Sequence, residues 1–263
     1  MEKRGGVDSL SGVLRTKICR LVFSTCYAFH AERDMCRADV ECAIDYSLNP
    51  AIRYPPDGRP VAANDNLPSH AEKAEQRAES TPITSLLIEP VATIAGDFMA
   101  VVRYLNEQID QGQLLDPFVL DDSVLCLQHR LASCNLALLG PLDRAYRASC
   151  LIFIKCLIRP LRVVARTSNP LVAQIQLNIG SVEETPKALL IWILFMGLIG
   201  GGPLQEDRIR ISSKIVDLLK YGSQTFPSWE EVKKQLQQVA WVPAVLDDVG
   251  QEIWAELDAV ALV

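Results

Sequence analysis

Residues 188–202 have the sequence ALLIWILFMGLIGGG, an apolar run that ends in three glycines. A helix needs about 20 such residues to cross the hydrocarbon core of a bilayer, so the run is short for a membrane span. A helix that is apolar all round is otherwise typical of the interior of a large helical domain. The glycines and Pro203 predict a helix end followed by a turn. The run therefore predicts a core helix.

The same run could instead be a strand that leads into a phosphate-binding loop, because Gly197 and residues 200–202 follow apolar residues. A dinucleotide fingerprint requires G-x-G-x-x-G, and a P-loop requires Lys and then Ser or Thr. Pro203 and Leu204 stand where that Lys and hydroxyl would be. We therefore predict no nucleotide or other cofactor site.

Apolar residues recur at helical spacing through most of the chain, and few segments alternate with the period of a strand. Helices are predicted near residues 9–31, 35–48, 83–111, 121–139, 142–166, 170–180 and 184–200, with three more before the end. Residues 49–82 are polar and proline-rich, which predicts a flexible, disordered linker. The expected fold is all-α, a multi-helix bundle or irregular helical array, with an N-terminal helical segment (1–48), the linker (49–82) and a main domain (83–263).

Charged residues in the predicted helix from Leu142 follow a regular spacing. Asp143, Arg147, Lys155 and Arg159 are separated by multiples of four, which places them on one face. The other faces are apolar. We interpret these four residues as a narrow solvated stripe on a helix that is otherwise buried.

Two helix starts are predicted near the C-terminus. Ser228 and Glu231 form a capping-box pattern, in which each side chain satisfies a backbone amide of the other residue. The last helix is expected to begin at Asp247 or Asp248, since a carboxylate there can cap it. The pair Asp121–Asp122 is interpreted in the same way.

The composition and charge exclude some function classes. The chain is 49% hydrophobic with a formal net charge of −6 and a pI of about 5.2. This charge repels nucleic acid unless a local basic patch compensates for it, and the sequence has no such patch. Direct DNA binding is therefore not expected.

Eight cysteines are spread along the sequence, and their spacing argues against a metal site. They are Cys19, Cys26, Cys36, Cys42, Cys126, Cys134, Cys150 and Cys156. None forms the C-x-x-C pair that presents two thiolates to a tetrahedral ion. We predict no metal site and reduced, intracellular cysteines.

Three histidines, His30, His70 and His129, are the only candidates for a catalytic imidazole base. Of the three, only His129 is a candidate for a folded pocket, and a position on a helix surface is the favoured interpretation; the sequence has no G-x-S-x-G nucleophile elbow. The tryptophans are interpreted as core anchors, with a ligand cavity as the alternative; they are Trp192, Trp229, Trp241 and Trp254. The sequence thus assigns no catalytic, cofactor-binding or metal-binding residue.

Five segments together resemble the regulatory domain of fungal zinc-cluster transcription factors. They are residues 146–152 (YRASCLI), 188–197 (ALLIWILFMG), 227–233 (PSWEEVK), 241–242 (WV) and 250–254 (GQEIW). In that family a W-x-L-x-x-G helix precedes a W-E-E-V helix, a W-V turn and a closing G-x-x-x-W helix.

The resemblance covers roughly residues 125–257 and implies an all-α regulatory domain. The family's six-cysteine zinc cluster and basic flank are absent from this sequence, so DNA binding is not carried over to any residue. The expected function is a non-catalytic, transcription-regulator-like module in the nucleus or the cytoplasm. Its expected partners are proteins of the transcription machinery or a small effector.

Two alternatives stay open at this point. The first is a small enzyme or biosynthetic accessory protein with a pocket around His129 or the tryptophans. The second is a membrane-associated protein that uses residues 188–202 and 151–158. The oligomeric state is left open as well.

Overall fold

The structure is a computed structural model that describes residues 31–45, 49–51, 83–113, 117–159, 164, 168–180, 185–201, 205–220 and 227–261. These residues form nine α-helices and no strand. The helices are α1 (Ala31–Asp45), α2 (Val91–Asp110), α3 (Pro117–Ala132), α4 (Pro141–Ile158), α5 (Asn169–Ile179), α6 (Lys187–Gly200), α7 (Gln205–Lys220), α8 (Trp229–Gln237) and α9 (Pro243–Ala261). The predicted all-α fold is confirmed.

Helix α6 is the core helix that the apolar run predicts. Every residue from Leu189 to Gly200 is buried, because α4, α5, α7, α8 and α9 all pack against it. The helix ends where Gly201 adopts a φ of 70°, a left-handed conformation that glycine reaches without steric cost. No described helix is long and apolar enough to span a membrane.

Helix α4 is the second central helix and packs most extensively against α5. Aromatic rings join it to α2 and α6. The rings of Phe98 (α2) and Phe153 (α4) meet edge to face with centroids 5.1 Å apart, and Tyr146 lies 5.7 Å from Trp192 of α6. Such ring pairs add stability beyond the area that they bury. The three helices therefore share one aromatic centre.

Two predicted helix starts have different outcomes. The capping box at α8 is confirmed, since the Ser228 amide donates to Glu231 Oε2 at 2.8 Å and Ser228 Oγ accepts from the Glu231 amide. The prediction for the last helix is wrong. Helix α9 begins at Pro243, a residue whose fixed φ suits the first turn, so Asp247 lies inside the helix.

Helix α1 covers part of the segment predicted at 35–48 and lies against the main body. Its buried residues Cys36, Val40 and Ile44 belong to the same hydrophobic core as α3 and α4. The predicted helix at residues 9–31 falls outside the described residues apart from its last position, as does the linker apart from residues 49–51.

Candidate functional site

The most concentrated set of buried charges lies along one face of α4. We call Asp143, Arg147, Lys155 and Arg159 the polar stripe. Asp143 and Arg147 are each 4% exposed and Lys155 is 3% exposed, while Arg159 is half-buried just after the helix end. The interpretation of these residues as a solvated stripe is therefore wrong. Burial of a charged group is costly unless that group is paired. The partners of these four residues therefore explain how they can occupy buried positions.

Asp143 fastens the segment that precedes α2 and the start of α4. Its Oδ1 accepts from the amide of Ile88 at 2.9 Å, and its Oδ2 accepts from the amide of Gly140 at 3.2 Å. A carboxylate in the first turn of a helix is also favoured by the helix dipole. One side chain thus holds two backbone segments that are far apart in sequence.

Arg147 fastens the end of α3 to α4 and α5. Its guanidinium donates to the main-chain oxygens of Leu131 and Ala132, and Nη1 donates to Gln174 Oε1 of α5 at 3.3 Å. The last carbonyl groups of a helix accept no hydrogen bond from an amide of the same helix, and they carry a partial negative charge. Burial lowers the pKa of Arg147 from its usual range.

Cys134 lies beside this arginine, and its thiol donates to the main-chain oxygen of Arg130 at 3.3 Å. Burial raises the pKa of Cys134, and the neighbouring charges of Arg147 and Arg130 offset only part of that effect. A protonated thiol is a poor nucleophile. The arrangement does not prepare Cys134 for nucleophilic chemistry.

The C-terminal half of the stripe holds α1. Lys155 Nζ lies 3.0 Å from Asp45 Oδ1, and Arg159 forms an ion pair with Glu41. A third ion pair joins Arg37 of α1 to the buried carboxylate of Asp121 on α3. Helix α3 begins at Pro117, so Asp121 and Asp122 lie beyond its first turn. The interpretation of this pair as a cap at a helix start is therefore wrong.

The tryptophans are confirmed as core anchors. Trp192 and Trp241 are fully buried, and the indole N–H of Trp192 donates to the main-chain oxygen of Ala240. Trp241 Nε1 donates to Asp247 Oδ1 at 2.8 Å, and its ring meets Trp229 edge to face at 6.1 Å. Trp254, which is half-buried, donates to the main-chain oxygen of Pro227 at 3.0 Å. These indoles therefore join α6, α8 and α9.

His129 lies in the last turn of α3 and is partly exposed. Its Nδ1 is 3.5 Å from Ser133 Oγ, one turn further along the chain. His30, His70, Cys19 and Cys26 lie outside the described residues. Within the described ranges, no three His, Cys, Asp or Glu side chains are grouped so that they could hold a metal ion.

The buried position of Gln128 is a feature that the sequence does not predict. Gln128 of α3 is 1% exposed, and neither its amide nitrogen nor its oxygen has a hydrogen-bond partner among the described residues. Nothing in the sequence around Gln128 distinguishes it from a surface glutamine. Burial of this side-chain amide without a hydrogen-bond partner lowers the stability of the fold.

The chain matches no known family model, no curated protein and no solved structure. The resemblance to the fungal regulatory domain therefore stays a prediction. The polar stripe connects α4 to other parts of the chain: Asp143 and Arg147 contact the main body, and Lys155 and Arg159 contact α1.

Proposed function

We propose that this protein is a non-catalytic, helical regulatory module of the transcription-regulator type, which acts through contacts with other proteins or a small effector. The single observation that carries the proposal concerns the segments that resemble the fungal regulatory domain. Trp229, Trp241 and Gly250 come from three of those segments and pack against one another, and Trp192 from a fourth segment donates to the main-chain oxygen of Ala240, the neighbour of Trp241. Residues from motifs that are separate in sequence are thus brought together in the fold, which supports the interpretation of these motifs as parts of one domain.

The packing around Gly250 is close. A Cβ atom at this position would lie 2.5 Å from Cη2 of Trp229 and 2.8 Å from Cζ2 of Trp241. The two rings thus leave no room for a Cβ atom at this position, which links the glycine and the two tryptophans through packing. The function that follows is regulation by helix arrangement, since a ligand that prefers one arrangement shifts its population.

Affinity capture tests the proposal. The tagged full chain is incubated with nuclear extract, and the bound proteins are identified by mass spectrometry. We expect transcription components to be enriched by the wild-type chain and equally by Arg144→Met, which alters only a part-buried contact to a main-chain oxygen. Recovery of no transcription component by either chain would refute the proposal.

A matched variant separates specific from adhesive binding. Arg147→Met removes the bonds that hold α3, α4 and α5 together and loosens the fold. Specific partners are expected to be lost from this variant. Partners captured better by Arg147→Met than by wild type would be binding to exposed core and would count against the proposed function.

A further inference from the structure

Two non-helical segments meet at the N-terminal end of α4. The first segment, residues 83–90, precedes α2, and the second segment, residues 135–140, precedes α4. The buried carboxylate of Asp143 joins them, because Oδ1 accepts from the Ile88 amide and Oδ2 accepts from the Gly140 amide. The two segments are therefore neighbours in space.

Each segment places one leucine in the core and leaves an adjacent apolar side chain outside. Leu87 and Leu139 are buried members of the hydrophobic core. Leu86, Ile88 and Leu138 are 40%, 46% and 74% exposed. A single exposed apolar side chain is normal on a monomer, whereas several at one place mark an interaction surface. We call Leu86, Ile88 and Leu138 the apolar patch.

The charges that border the apolar patch are few and of opposite sign. Glu89 is exposed and is the only charged residue in the two segments. Arg144 adjoins the second segment, where its Nε donates to the main-chain oxygen of Leu136 at 2.9 Å. Neither Glu89 nor Arg144 forms an ion pair with any residue that the structure describes. An anion thus adjoins the first segment, and a cation adjoins the second.

We propose that the apolar patch is the contact surface of a symmetric homodimer and that its occupant is a second copy of this chain. In a two-fold dimer the same surface of both copies meets, so the first segment of one copy faces the second segment of the other. Glu89 of one copy then lies opposite Arg144 of the partner subunit, and this pair forms twice. The inference goes beyond the proposed function and does not depend on it.

Charge complementarity identifies the occupant. Two copies that each carry a formal net charge of −6 repel one another at long range, and the patch is a place where they can approach. A partner with charges of one sign would face either Glu89 or Arg144 with a like charge, which is unfavourable. A second copy supplies both opposite charges. The three apolar side chains make a small interface, so the dimer dissociates in the micromolar range.

Sedimentation velocity of the full chain, over loading concentrations from about 1 to 200 µM, tests the proposal. The wild type is expected to shift from monomer to dimer. Leu138→Asp should raise the dissociation constant at least about ten-fold, because the dimer would bury two carboxylates against apolar side chains. Ile209→Asp is the matched control, since Ile209 is an exposed apolar residue of α7. It should dimerise like the wild type.

Two results of this measurement overturn the proposal. The first is a wild-type chain that stays monomeric at every concentration. The second is a Leu138→Asp variant that associates as well as Ile209→Asp, which would place any dimer contact elsewhere. Leu138 is 74% exposed, so its replacement leaves the core intact, and circular dichroism checks this. Nuclear extract is not used, so failure here is distinct from failure of the affinity capture.

Exchange of the two charges tests the symmetry of the dimer. Glu89→Arg places two cations opposite each other, and Arg144→Glu places two anions there, so each variant alone should self-associate at least about ten-fold more weakly than wild type. An equimolar mixture of the two variants should dimerise again, because each copy supplies the charge that the other lacks. A mixture of folded variants that stays monomeric overturns the proposal. If Arg144→Glu does not fold, the comparison of Leu138→Asp with Ile209→Asp decides.

Discussion

Substitution of Gly250 by alanine is the sharpest test of the packing around the tryptophans. The added methyl would lie 2.5 Å from Trp229 and 2.8 Å from Trp241, distances that real Cβ atoms do not adopt. One ring must therefore move. Trp241 is the less free of the two, because its indole N–H is bonded to Asp247 and its side chain is fully buried.

The expected magnitude follows from three effects. Overpacking of a core costs about 1–3 kcal/mol. Tilting Trp241 away from Asp247 loses a hydrogen bond worth about 1 kcal/mol. Alanine gains back about 1 kcal/mol because it favours a helix more than glycine does. Gly250→Ala should therefore lower the free energy of unfolding by roughly 2 kcal/mol.

Gly96 provides a matched control. It also lies inside a helix, α2, but a Cβ atom there would meet nothing within 4 Å. Gly96→Ala should raise the free energy of unfolding by about 0.5–1 kcal/mol. Urea unfolding followed by circular dichroism measures both variants. The packing described for Gly250 is refuted if Gly250→Ala is as stable as Gly96→Ala.

Three further substitutions test the polar contacts by the same unfolding measurement. Arg147→Met keeps the aliphatic stem but removes the buried guanidinium that donates to the Leu131 and Ala132 carbonyls, so it should cost about 2–4 kcal/mol, against less than about 1 kcal/mol for Arg144→Met; equal losses would contradict the role of the stripe. Gln128→Met should stabilise the protein by about 1 kcal/mol, since it removes a buried amide without partners, and a loss of stability would indicate that a bound group satisfies Gln128. Ser228→Ala should cost about 1 kcal/mol through loss of the α8 capping box, and an unchanged midpoint would show that this cap does not contribute.

The sequence predicts those features of the fold that depend on neighbours along the chain. The position of α6 follows from its uninterrupted apolar run, and the start of α8 follows from the local pairing of Ser228 with Glu231. The start of α9 lies at Pro243, four residues before the aspartates at which it is predicted. A proline at the first helical position is itself a signal for a helix start, and here it is the correct one.

Features that depend on distant segments could not be predicted in the same way. The spacing of the polar stripe shows that its members share a face, but a solvated stripe and a buried, paired stripe have the same spacing. The partners decide between them, and they come from elsewhere: the Ile88 amide is 55 positions from Asp143, and Asp45 is 110 positions from Lys155. A single sequence gives no information about such pairs.

The two halves of the polar stripe differ in what they hold. Asp143 and Arg147 bond to backbone groups before α2, before α4 and at the end of α3, so their loss loosens the main body. Lys155 and Arg159 form ion pairs instead with carboxylates of α1. Substitutions in the first half should therefore change global unfolding, whereas Arg159→Gln should change mainly the exchange of α1 amides. One regular spacing along α4 thus supports contacts to the main body at one end and to α1 at the other.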